Sequence, residues 1–232
     1  MSGERRLSKR LQAVADLVRP GSVADVGTDH GYMAVYLLQK GIATDVTATD
    51  IHEGPLAAAR ATAAAQGLEG QIRFVLCDGL TGCAPADTVV IAGMGGETIA
   101  HILQNAPWTK SGAHLILQPQ SKQDVLTQWL HDNGYRILDA RLVEDEGRLY
   151  TVFVAQGGPP RPIAGPEELY VNRLLVEKRD PLLPAYTAFL MERLERAYRG
   201  LEKAAVPRPA EQARLKSILH GLKAIKQEAD KW

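Results

Sequence analysis

Ser22-Val23-Ala24-Asp25-Val26 is a short apolar run that breaks abruptly into Gly27-Thr28-Asp29-His30-Gly31. Such a run bounded by a glycine-rich turn reads as a buried strand. Tyr32 to Lys40 then has helical patterning and stops at Gly41, a natural C-terminal cap. A strand, a tight turn and a helix make the first half of a β–α unit, and the rest of the chain repeats that unit.

Upstream, Leu7, Leu11, Val14 and Leu17 or Val18 share one helical face, and Pro20-Gly21 ends that helix. Downstream, Asp45 to Thr49 is a second strand closed by Asp50, and Pro55 opens an alanine-rich helix that runs to Gln66. Ile72 to Leu76 is a third strand, followed by Cys77-Asp78-Gly79-Leu80. Thr88 to Ala92 is a fourth, followed by Gly93-Met94-Gly95-Gly96 and a helix through Ile99 and Leu103. Ala113 to Leu117 is a fifth, followed by Gln118-Pro119-Gln120 and a helix from Ser121 to Asn133. Tyr135 to Val143 and Leu149 to Val154 read as a hairpin around Glu146-Gly147. Alternating strands and helices predict an α/β fold, a doubly wound parallel sheet covered on both faces, with one antiparallel strand from the hairpin.

Gly157 to Pro166 carries three glycines and four prolines and reads as a boundary. Beyond it, Leu183, Tyr186, Leu190, Leu194, Ala197, Leu201 and Ala204 step by three and four, Pro207 and Pro209 interrupt, and Leu215, Ile218, Leu222, Ile225, Ala229 and Trp232 step likewise. Two narrow apolar seams predict a C-terminal α-helical coiled-coil hairpin. The expected division is residues 1–158 for a cofactor-binding domain and 159–232 for the helical part.

The 232 residues carry 27 basic and 27 acidic side chains, which argues against strong non-specific attraction of the whole chain to polyanions. From Met1 to Ala155 acids outnumber bases 17 to 13; from Gln156 to Trp232 bases outnumber acids 14 to 10. The basic excess gives an anionic partner a place at the tail, but an imbalance this mild is more often an ordinary solvated helix surface. Cys77 and Cys83 make no disulfide framework, and the histidines show no metal-ligand spacing, so no metal is expected. No apolar run approaches the ~20 residues that span a bilayer, and no signal-peptide core is present, so a cytoplasmic location without membrane attachment is expected. Trp108, Trp129 and Trp232 are expected to pack.

In an open α/β sheet, ligands bind beyond the carboxyl ends of the strands, where the strand order reverses. The residues at and just beyond those ends make up the candidate cofactor site: Asp25, Gly27, Thr28, Asp29, Asp50, Ile51, Asp78, Gly79, Leu80, Gly93, Met94, Gly95, Gly96, Gln118 and Pro119. The glycines are expected to let a ligand approach the backbone. The carboxylates discriminate between ligands. A pyrophosphate needs bare amides at the first turn, and Asp29 would repel it. S-adenosyl-L-methionine instead presents a sulfonium and an ammonium. A carboxylate ~5 Å from such a cation gains about 3 kcal/mol at an effective dielectric of about 20. Asp50 is placed to accept from ribose hydroxyls and Asp78 from an adenine amino group. His30 is expected at the site and His52 at its rim.

At these residues the chain resembles the bacterial tRNA (adenine-22 N1)-methyltransferases. The resemblance rests on Ala24-Asp25-Val26-Gly27-Thr28-Asp29-His30, Asp50 with Gly54-Pro55, Asp78-Gly79-Leu80, Ala92-Gly93-Met94-Gly95-Gly96 and Leu115-Ile116-Leu117-Gln118-Pro119. The family pattern follows its histidine with Ala-Tyr-Leu-Pro, where this chain has Gly31-Tyr32-Met33-Ala34. The resemblance implies a class I (Rossmann-like) fold, S-adenosyl-L-methionine as cofactor, and methyl transfer to N1 of adenine 22 in the tRNA D-arm. Such a transfer leaves the ring cationic and calls for a carboxylate beside it, for which Asp29 is the candidate catalytic residue, with Tyr32 and His30 as supporting walls; the competing role for Asp29 is a hydrogen bond to the cofactor's amino group. Two alternatives stay open at this point: a methyltransferase acting on a small molecule or protein, and a non-catalytic module that senses cofactor or scaffolds RNA. A monomer or weak dimer is expected.

Overall fold

The computed structural model describes residues 7–204 and 206–232; the basic start of the chain, residues 1–6, lies outside the described residues. Seven strands form one sheet: β1 (Gly21–Val26), β2 (Ala43–Asp50), β3 (Ile72–Leu76), β4 (Thr88–Gly95), β5 (His114–Ser121), β6 (Tyr135–Asp145) and β7 (Arg148–Gly157). Their spatial order is β3-β2-β1-β4-β5-β7-β6. Strands β1 to β5 pair in parallel, and β7 is antiparallel to both β5 and β6. The order reverses between β1 and β4, which fixes where a ligand crevice opens. At the hairpin, Glu146 and Gly147 both have positive φ, 49° and 72°, as a two-residue type I′ turn requires.

The period of two in the strands sorts side chains onto two apolar faces. Val89, Ile91, Leu115, Leu117, Phe153 and Ala155 face one core, whereas Val90, Ile116 and Val152 face the other. The second core is covered by α1 (Lys9–Ala15) and α2 (Tyr32–Gln39), with a lesser share from α3 (Glu53–Ala64). The first is covered by α4 (Gly96–Gln104) and α5 (Gln123–Asp132).

Two boundaries differ from the sequence reading. Gly93-Met94-Gly95 does not follow β4 as a loop but continues it, with register breaks at Ala92/Met94 and Met94/Gly95, and Gly96 already opens α4. Gln118-Pro119 lies inside β5. Proline is accommodated there because the β4–β5 ladder is irregular where Met94 pairs with Pro119.

The tail contains a 3₁₀ turn (Pro166–Leu169), the short α6 (Arg173–Glu177), α7 (Leu183–Glu202) and α8 (Pro209–Ala229). Pro209 opens α8, at a position where its missing N–H costs nothing. Of the seams read from the sequence, Leu183, Tyr186, Leu190, Leu194 and Ile218, Leu222, Ala229 are buried, Leu201, Leu215 and Ile225 are half-buried, and Ala197, Ala204 and Trp232 are exposed, Trp232 by 41 %. Leu169, Val171, Leu175 and Leu183 are buried in the same core as α5 and β6. A chain cut near Gly158 would therefore lose apolar cover from one face of the sheet. Among the described residues, no helix is long and apolar enough to cross a membrane.

Candidate cofactor cavity at the strand-order reversal

The crevice between β1 and β4 opens into a cavity of about 450 Å³, within the range of small-ligand sites. One wall is the turn after β1. Gly27 and Thr28 both donate their amides to the Thr49 carbonyl, at 2.8 and 3.0 Å, which stitches the turn to β2. Asp29 sits in the left-handed region at φ 51°, a conformation that Asp tolerates better than most side chains. Its carboxylate is largely exposed, 3.6 Å from His30 Nε2, and the His30 ring stacks on Tyr32 at 5.4 Å.

Asp25 is 5 % exposed, and its Oδ2 accepts from Thr28 Oγ1 at 2.8 Å. Burial pushes its pKa up to about 6; the Thr28 bond opposes the rise and the nearby Asp50 adds to it. Asp50 closes β2, and its Oδ1 accepts from the His52 amide at 2.9 Å, so it also orders the entry to α3. Val90, Ala92, Gly93 and Met94 supply the β4 side. Among the described residues, Asp25, Asp29 and Asp50 against the guanidinium of Arg10 make the wall net negative, suited to a cation.

Of the residues read from the sequence, the cavity gathers Asp25, Gly27, Thr28, Asp29, His30, Tyr32, Asp50, Gly93 and Met94, with His52 beside them. The others stand outside its wall. Ile51 is 59 % exposed and Leu80 is in the core. The Gly79 carbonyl accepts from Thr49 Oγ1, and Asp78, beyond the end of β3, lies 3.9 Å from His101 of α4. A Cβ on Gly96 would overlap the Lys122 carbonyl, so its lack of a side chain serves the approach of α4 to the start of α5, not of a ligand. Gln118 is fully buried; its Oε1 accepts from the Gly93 amide and from Arg10 Nη1, and its Nε2 donates to the Pro119 carbonyl. It holds the glycine segment in place without lining the cavity, and Pro119 borders a different pocket.

Sequence reasoning missed Arg10, Leu11, Met33, Pro55 and Gln120 in the wall. Arg10 and Leu11 arrive from α1, ahead of the first strand, where nothing in the spacing marks them. The structure ties α1 to the hairpin: the Arg10 amide donates to Asp145 Oδ2 at 3.3 Å, and its guanidinium lies over the Tyr150 ring. Cys77 and Cys83 bring their sulfurs to 4.0 Å; burial, then Cys83, pushes the Cys77 thiol up to about 11. Among the described residues no cluster of His, Cys, Asp or Glu has the makings of a metal site.

Residues 7–153 match the family described as Methyltransferase domain. Over 159 residues the chain is 38 % identical to the tRNA (adenine(22)-N(1))-methyltransferase of Bacillus subtilis, covering 67 % of each chain. The chain belongs to the tRNA (adenine-22 N1)-methyltransferase family. The crystal structure of the B. subtilis m1A22 tRNA methyltransferase superposes with a TM-score of 0.85 at 29 % identity, covering 95 % of this chain and 99 % of that one. The Streptococcus pneumoniae protein Sp1610, solved in complex with S-adenosyl-L-methionine, superposes at 0.82 with 28 % identity, covering 95 % and 100 %. The likeness to these family members thus includes α7 and α8, beyond the stretch matched as a methyltransferase domain.

Proposed function

We propose that this protein transfers the methyl group of S-adenosyl-L-methionine to N1 of an adenine in tRNA, at position 22 in the D-arm. The observation that carries the cofactor is Asp25: a buried carboxylate on the cavity wall whose hydrogen-bond donor among the described residues is the Thr28 hydroxyl. A cationic ligand compensates that burial, and a phosphate would aggravate it. When bound, S-adenosyl-L-methionine supplies an electrophilic methyl carbon on a sulfonium. Asp25 and Asp29 offset its positive groups, Asp50 accepts from ribose hydroxyls, and Asp78, one strand over, accepts from the adenine amino group.

On the substrate, adenine N1 carries an in-plane lone pair, so the protein's task is to expose it, align it and keep water out. N1 is stacked or paired in folded RNA, and the base must leave its stack to enter the cavity. The stacked His30 and Tyr32 rings give the extruded base an apolar wall. The methyl carbon leaves sulfur with the C–S bond as N1 bonds to it, so the positive charge passes from the sulfonium to the ring and no proton is released; Asp29, adjacent to that wall and exposed, stabilises the charge that develops on the ring.

The test is methyl transfer from labelled S-adenosyl-L-methionine to unmodified tRNA, followed by nucleoside analysis. 1-Methyladenosine, lost when position 22 is changed to another base, is the expected product. No incorporation, or methylation at a different atom or nucleotide, overturns the proposal.

A further inference from the structure

A second cavity of about 350 Å³ adjoins the first. Gln120 lines both, and the Arg10 guanidinium of the first lies 5.7 Å above the ring of Tyr150 in the second. Its wall is assembled from three distant parts of the chain: the β5–α5 junction with Lys122, the hairpin turn with Arg148, and α7 with Phe189 and Arg193. All three cations are exposed, and among the described residues none lies within ion-pair distance of a carboxylate.

The rest of α7 is different. Arg196 pairs with Glu192 and Arg199 with Glu195, and on α8 Lys226 pairs with Asp230. Of the three arginines on α7, the unpaired one is therefore the one at this cavity. The acid in the wall, Asp124, accepts from the Tyr170 hydroxyl, while Tyr186 donates to Gln123 and accepts from Thr151. The Tyr186 bonds hold α7 to α5 and β7, and the Asp124 bond holds the end of the 3₁₀ turn to α5. Phe189, by contrast, is an aromatic side chain left 48 % exposed at the rim. Lys122 has φ 54°, a left-handed conformation that the surrounding packing must enforce, and its carbonyl is the group against which Gly96 closes.

Cations from separate elements around an exposed aromatic ring match a nucleotide of single-stranded RNA, with phosphate on the cations and base on the ring. We propose that this cavity is an RNA subsite that holds a nucleotide flanking the methylated adenine, with Lys122, Arg148 and Arg193 on its phosphates and Phe189 stacked on its base. The assignment rests on the tRNA reading above. It gives α7 a direct part in placing the substrate, because the subsite abuts the cofactor cavity. The nucleotide next to the target, once gripped here, keeps the target base out of its stack.

The experiment compares wild type with three variants: Arg148→Ala/Arg193→Ala, Phe189→Ala, and Arg196→Ala as the paired-charge control on the same helix. Thermal unfolding and S-adenosyl-L-methionine titration establish that each variant folds and keeps its cofactor site. The measurement is the Kd for unmodified tRNA as a function of salt. The double variant is expected to bind at least tenfold more weakly at low salt, its log–log salt slope falling by about 0.7 to 0.9 for each phosphate it no longer neutralises. Phe189→Ala is expected to lose about tenfold with the slope unchanged, since stacking releases no counterions. Arg196→Ala is expected to bind as wild type. Unchanged affinity and slope in the first two variants, with wild-type methylation intact, overturns the subsite and leaves the function standing. Equal losses in all three overturn it in favour of diffuse attraction to the tail. If wild type neither binds nor methylates tRNA, the functional reading itself falls, and the subsite with it.

Discussion

The side-chain oxygen of Gln118 lies 3.1 Å from the amide nitrogen of Gly93, so β5 holds the glycine segment of β4 by a bond from a fully buried side chain. The same oxygen accepts from Arg10 at 2.6 Å, which locks α1 into the arrangement. Replacing Gln118 by Ala leaves the Gly93 amide without its partner, at a cost of about 1–3 kcal/mol. Cofactor affinity is expected to fall about tenfold or more although Gln118 does not border the cavity. Calorimetry that shows wild-type affinity for S-adenosyl-L-methionine would remove this positioning role.

Asp25 sets a pH dependence. Its folded pKa of about 6 lies above the ordinary aspartate value, so the folded state prefers the protonated form. The stability this contributes is complete below about pH 4 and is lost as pH rises through 6, a difference on the order of 3 kcal/mol. Asp25→Asn should therefore unfold at higher temperature than wild type at pH 8 and at the same temperature at pH 4. A cationic cofactor draws the proton off, so wild-type binding at pH 5.5 should release a proton and the variant's should not. Titrations in buffers of different ionisation enthalpy read this directly, and equal proton release in both contradicts the assignment.

Asp50 both lines the cavity and accepts from the His52 amide. Asp50→Ala is expected to weaken cofactor binding by about 1.5–3 kcal/mol, the range for hydrogen bonds to a charged group. NAD bound more tightly than S-adenosyl-L-methionine would exclude the cofactor assignment altogether.

For Asp29, the two proposed roles separate kinetically. Asp29→Ala should lower kcat at saturating cofactor by about 100-fold or more while leaving the Kd for tRNA near wild type. Asp29→Asn keeps the left-handed backbone and removes only the charge, and it should behave similarly. Full turnover restored by raising the cofactor concentration would leave Asp29 a binding residue only.

Gly96→Ala tests a glycine of structural origin. The added methyl meets the Lys122 carbonyl backbone, which has no flexible end to yield. A loss of about 1–3 kcal/mol in stability is expected from overpacking, whereas Gly54→Ala, with open space around it, should unfold near wild type. Equal unfolding midpoints for the two variants would mean that α4 and α5 separate at little cost.

The strand–turn–helix alternation was legible in the sequence because its signals are local. A run such as Val89-Val90-Ile91 is apolar on both faces, and residues like Gly41 stop a helix wherever it lies. The acids Asp25, Asp29 and Asp50 were legible as a site because a parallel sheet places all its strand ends on one edge, so topology alone gathers them. Spacing did not reveal which glycines face a ligand. Gly93 and Gly96 look alike in the chain, yet one borders the cavity and the other packs against Lys122, a distinction set by the separation of α4 and α5. Nor did it place Arg10 in the cavity wall, since α1 reaches the site only by crossing to Asp145 and Tyr150. The tail's basic residues looked equivalent along two helices. Which of them are neutralised follows from i,i+4 pairs such as Glu192–Arg196, and which converge follows from α7 packing beside the β6–β7 turn. Sequence periodicity fixes what a residue's own element buries; the neighbours it meets from 26 to 71 positions away, as Lys122 meets Arg148 and Arg193, are decided only when the elements pack.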